Sequence, residues 1–281
     1  MNEKLFDVCK YLIPQNFKKA SEYELMKSLQ KLSDFFSFVE HRKRVPIEVD
    51  FSRKDGVAGE CFIDSIAVYP QNCLTNYQTY LECFDTIVHE SFHIFQYHIM
   101  HMPKSFIKSE KLWKRISAYN LQYFANSAGK YGYYRLNYFE LDAYRFTDFF
   151  MLNVYHKFKN EGIKLIDFKK YIDTERKDFY KTKIYCKDFF KGKDIADAIE
   201  KANRFFIDDG VYGVALNNEI DVTEFNQFED LKNEIFDSGK YLYSIFNEPI
   251  CDLSQDFIDN AERIYKKMMP HIFGYQSEKE Q

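Results

Sequence analysis

No glycine or proline interrupts the chain between Pro70 and Pro103. Within that stretch Phe84, Val88, Phe92 and Phe95 recur at helical intervals, and Thr79 with Glu82 has capping-box spacing. The pattern predicts one long helix reaching about Met100, where Pro103 stops it. Ile87, Val88, Phe92, Ile94 and Phe95 make it apolar on several sides. Such a helix must be buried, so the rest of the fold has to be built around it.

The wider chain favours the same kind of element. Only 10 Gly and 6 Pro occur in 281 residues, and 46% of the residues are hydrophobic, which predicts long helices and a substantial core rather than a disordered tail or a stapled miniprotein. The 29 Phe and 22 Tyr are enough to fill that core and to line a cleft. No run approaches the roughly 18 apolar residues of a membrane span, and the first twenty residues lack a continuous apolar region. The expectation is a soluble, unsecreted, cytoplasmic protein. Its six scattered cysteines, with no CxxC pair, read as reduced thiols. Charge is uneven: residues 1–163 balance at +2, 164–193 at +5 and 194–281 at −11. The basic stretch mixes cations with aromatics, but its five acids favour a solvated amphipathic helix over a nucleic-acid surface.

Ser21 with Glu24 predicts a first helix over 21–40, along which Leu25, Leu29, Leu32, Phe35 and Val39 recur. From Pro46 the pattern changes, with alternation over 47–51 and a β-rich stretch from Cys61 to Tyr69, predicting two or three antiparallel strands. Helices are expected over 105–128, 133–158, 194–207, 224–236 and 255–268, with a short hairpin within Phe205–Asn217. The fold class is therefore α+β and mainly helical, with a small antiparallel sheet packed on the 79–100 helix. A core over 1–160 carries a largely helical C-terminal extension over 161–281, as two parts or one continuous domain.

The chemistry-bearing string is His89-Glu90-Ser91-Phe92-His93, an H-E-x-x-H inside the long helix. Residues four apart lie about 40° apart around the axis, so both imidazoles can reach one Zn²⁺ while Glu90 reaches a water beside it. A catalytic zinc takes a third protein ligand, and Glu140 is the candidate, sharing a helix face with Ala143, Tyr144 and Thr147. A solvated helix acid stays open as the alternative for Glu140. Asp142 projects about 160° away and is expected to meet solvent or another helix. Asp85, one turn before His89, is expected to hydrogen-bond a ligating histidine. His98 and His101 read as surface or interfacial residues, and His41, His156 and His271 fall in no ligand spacing.

The strings HESFHIFQ and YRLNYFELDA resemble the zincin metallopeptidases, in particular the compact bacterial, often mobile-element-borne group with a glutamate as third ligand. The resemblance covers about residues 45–158. It implies one zinc ion per chain held by His89, His93 and Glu140, with Glu90 as general base. Two positions depart from the family pattern. Phe92 stands where members that cleave phage repressors carry glycine, and Tyr144 stands where an Asp or Asn usually follows the ligand glutamate by four residues.

The expected activity is peptide-bond hydrolysis, with Tyr134 or Tyr138 as donor to the developing oxyanion and an extended peptide or protein substrate along the edge of the Cys61–Tyr69 strand. A rival keeps the zinc without catalysis, as a metal-stabilised binding or regulatory protein. Oligomeric state is not encoded in these patterns.

Overall fold

Helix starts in the computed structural model follow local capping chemistry. The structure describes residues 3–53, 56–62, 64–125, 134–176, 195–217, 219–220, 225–238 and 253–270. After two short helices, α1 (Glu3–Cys9) and α2 (Pro14–Phe17), comes α3 (Glu22–Val39). Its Ser21 and Glu24 form the reciprocal capping box that their spacing predicts. The long helix α4 runs over Tyr77–Met100. It starts earlier than expected, because Asn76 rather than Thr79 supplies the cap: its Oδ1 accepts from the Thr79 amide. Helix α5 is Glu110–Phe124, capped by Ser109, and α6 is Tyr138–Asn160. Residues 166–176 form α7. Then come α8 (Ile195–Asn217), α9 (Phe225–Ser238) and α10 (Gln255–Met268). The fold is thus mainly helical α+β, and among the described residues no helix is long and apolar enough to cross a membrane.

The small sheet is mixed, not antiparallel. Strands β1 (Ile47–Val49), β2 (Gly59–Cys61) and β3 (Ile66–Val68) lie in the order β1-β3-β2. β1 runs parallel to β3, with Ile47 opposite Ile66, while β2 runs antiparallel to it, with Cys61 opposite Ile66. Alternation reports which face a residue takes but not the direction of its neighbour, so the parallel pair was hidden. The central strand is the fully buried one.

The chain forms two compact units that are discontinuous in sequence. Residues 1–95 with 143–179 make the first, and residues 96–142 with 180–281 the second; the boundary expected near 160 falls inside the first. Helices α4 and α6 each pass through both. In the first unit Leu25, Leu29, Leu32 and Phe36 of α3 are buried. Phe36 meets Phe146 and Phe150, and Phe146 stacks on Phe92 with centroids 4.8 Å apart. Phe92 is therefore a core ring. The aromatic surplus here is packing.

In the second unit the hairpin expected within Phe205–Asn217 is absent, because that segment continues α8. Gly210 explains the misreading. A Cβ there would sit 2.0 Å from the carbonyl oxygen of Leu121 on α5, so the glycine marks a close helix crossing rather than a turn. The second half of the basic stretch, residues 177–193, lies outside the described residues, as do Cys186 and Cys251. Among the described residues Cys9, Cys61, Cys73 and Cys83 form no disulfide.

Candidate metal centre

Helix α4 presents His89 and His93 on one face, and their Nε2 atoms stand 3.0 Å apart. Helix α6 presents Glu140 in its first turn. One donor atom from each of the three residues lies within 4.8 Å of the others. That spacing can be drawn onto a shared cation: tetrahedral ligands with bonds of about 2.0–2.2 Å lie about 3.3–3.6 Å apart, so a gap of 4.8 Å would close by a little over 1 Å. Two imidazoles and one carboxylate are the donor set of many open metal sites. Among the described residues no further His, Cys, Asp or Glu joins the group. His93 and Glu140 are buried and His89 is half-buried.

Glu90 is also buried, and its stem is close to the sheet. A Cβ built on Gly59 of β2 would approach Glu90 Cγ to 3.7 Å and would collide with Thr86 Cγ2 at 2.4 Å. Glycine at 59 thus lets an edge strand lie directly on the helix face that carries Glu90. The Cys61–Tyr69 stretch, expected to offer an edge, divides between the edge strand β2, which ends at Cys61, and the central strand Ile66–Val68, which is paired on both sides.

The carboxylate of Glu140 is set by its helix start. Asn137 caps α6, its Oδ1 accepting from the Glu140 amide at 2.9 Å. This places Glu140 at the positive end of the helix dipole, which favours an anionic ligand. The helix begins at Tyr138 rather than 133 because Asn137 interrupts the apolar pattern with a cap. The Tyr134 hydroxyl donates to Glu140 Oε1 at 2.5 Å, so one of the two expected oxyanion donors stands beside the group. Tyr138 does not share that setting: its ring carries the Arg115 guanidinium 3.5 Å from the centroid. Tyr144 lays its ring against His89 with centroids 4.5 Å apart.

Two acidic residues have other work. Asp142 is fully buried, accepts from the Tyr119 hydroxyl and lies 3.4 Å from Arg115 Nε. Tyr119 in turn contacts the Tyr265 hydroxyl at 2.6 Å. Burial first, and the Asp142 charge second, push both phenols well above their usual range, so both stay protonated. Asp142 therefore meets another helix, as one of its two expected settings required. The hydrogen-bond partner shown for Asp85 is not a histidine. Tyr171 hydrogen-bonds it, and burial, reinforced by Glu175 and Asp148, pushes its carboxyl well up.

Four residues without a motif hold the Glu140 turn in place. Asn203 of α8 is buried; its Oδ1 accepts from the Tyr138 amide and from Gln122 Nε2, each at 2.6 Å, and its Nδ2 donates to the Leu136 carbonyl. Gln122 Oε1 accepts from the Phe139 amide, and Gln96 Nε2 donates to the Phe139 carbonyl. Only the capping residue Asn137, three before Glu140, had a readable signal: the spacing of a capping pair. Compared with protein-family models, curated proteins and solved structures, the chain matches none.

Proposed function

We propose that the chain is a zinc-dependent peptidase, with His89, His93 and Glu140 as ligands and Glu90 as general base. The observation that carries this reading is the convergence of three donor atoms from two helices with no fourth protein ligand among the described residues. A purely structural zinc tends to use four protein ligands, so three favour a site with room for water and substrate.

Zinc held there would lower the pKa of a water toward neutrality and polarise a scissile carbonyl. The chain's own groups do the rest. Glu90 takes the proton of the attacking water on its carboxylate and passes it to the leaving amine. Tyr134, whose hydroxyl already donates beside the group, turns that proton toward the oxyanion that forms. An extended peptide would align along the outer strand β2, whose Gly59 lies against the helix that carries Glu90, by backbone hydrogen bonds.

The test separates metal binding from catalysis. Purified protein should hold about one zinc per chain, and Glu90→Gln should keep that zinc while losing cleavage of a quenched-fluorescence peptide library by about 10²–10⁴-fold. Retained cleavage in Glu90→Gln removes Glu90 as base. Zinc without cleavage in the parent returns the site to the metal-stabilised binding protein.

A further inference from the structure

The Glu140 turn also forms one wall of a cavity of about 270 Å³. Five aromatic side chains line it: Tyr97, Tyr123, Tyr134, Phe139 and Phe206. The last of these comes from α8, far outside the region of motif resemblance. An enclosed apolar space of about 150 Å³ already accommodates benzene, so this one has room for a six-membered ring and its methylene.

The polar groups on its wall are largely committed elsewhere. Gln122 donates to Asn203 and accepts from the Phe139 amide. Asn137 Oδ1 is held by the Glu140 amide. What the wall offers an occupant is chiefly ring surface, which rewards edge-to-face and stacked aromatic contacts beyond area burial alone. The same wall discourages charge. A lysine or glutamate side chain would lose its hydration, and the Glu140 carboxylate would repel an acid. Glu140, one of the three candidate ligands, and Tyr134, which donates to it, are both part of the cavity wall.

From these contacts we infer that the cavity is the specificity pocket of the site, receiving an aromatic side chain (Phe, Tyr or Trp) from the residue flanking the cleaved bond. The cleavage half of this inference rests on the peptidase reading; the binding half does not. Phe206, on this account, is a specificity residue contributed by the C-terminal part of the chain.

The test titrates N-acetyl-phenylalanine amide, N-acetyl-alanine amide and N-acetyl-lysine amide into the zinc-loaded full chain, followed by calorimetry. The phenylalanine amide should bind at least tenfold more tightly than the other two. Phe206→Trp, which fills the cavity, should erase that preference with zinc content unchanged. Phe206→Ala, which enlarges it, should move the preference toward the naphthylalanine amide, and so serves if the Trp variant does not fold. Equal binding of the three amides by the parent overturns the inference. In the peptide library, cuts should cluster beside aromatic residues. Cleavage indifferent to aromatics overturns the pocket and spares the peptidase reading, whereas aromatic preference in binding with no cleavage sustains the pocket and defeats that reading.

Discussion

Single residues here carry electrostatic commitments that a motif search does not see. Glu40 and Arg42, just beyond α3, have fully buried side chains, with Arg42 Nε donating to Glu40 Oε2 at 2.5 Å. Glu40 Oε1 and Arg42 Nη2 have no hydrogen-bond partner. Burial outweighs the neighbouring cation and pushes the Glu40 carboxyl up from 4.5 to about 7. A carboxyl whose folded pKa is raised binds its proton more tightly in the native state. Its contribution is therefore fully present below about pH 4.5 and is lost as pH rises through about 7. Glu40→Gln should flatten this slope, removing up to about 3 kcal/mol of stability difference between pH 4.5 and 8 in urea titrations. A parent and variant with equal slopes would assign the pH dependence to other groups. The candidate ligands His89, His93 and Glu140 were legible because a shared cation would fix both residue type and spacing. Asn203 was not, since a polar residue on an amphipathic helix has no distinguishing period and its four hydrogen bonds go to distant or backbone atoms.

Among elements, those with local signals were readable and those defined by a partner were not. Ser21 and Ser254 announce α3 and α10, whose bounds match the caps that fold them. The parallel pairing of β1 with β3 skips β2 in sequence, and no local pattern encodes it. Gly210 shows the same limit in a helix. Glycine there reads as a breaker, yet it permits α8 to lie against the Leu121 backbone. Gly210→Ala should raise helix propensity by about 0.5–1 kcal/mol and still destabilise the protein by about 1–3 kcal/mol, because the obstructing atom is backbone and cannot rotate aside. Thermal unfolding of the variant decides it. An unchanged or higher midpoint would mean that α5 and α8 separate at little cost.

For the molecule as a whole, metal and fold should be coupled. Three ligands on two long helices bind far better when those helices are in place than in the unfolded chain. Zinc at 100 times its dissociation constant should then add about 2.7 kcal/mol to stability. Chelation should lower the unfolding midpoint of the parent and of Glu90→Gln alike, and leave His93→Ala unmoved. A chelator shift that persists in His93→Ala would locate the stabilising metal elsewhere. One feature also bears on the order in which the molecule matures. The amide of Tyr138 and the carbonyl of Leu136 are satisfied by Asn203, which follows them by 65 and 67 residues. On a ribosome the histidine helix and the glutamate turn both emerge well before that clasp exists. Until α8 has been synthesised, the turn that carries Glu140 has Gln96, Gln122 and Asn137 but lacks the Asn203 clasp. A cation that needs all three donors would therefore meet the finished arrangement only after residue 203 has been made.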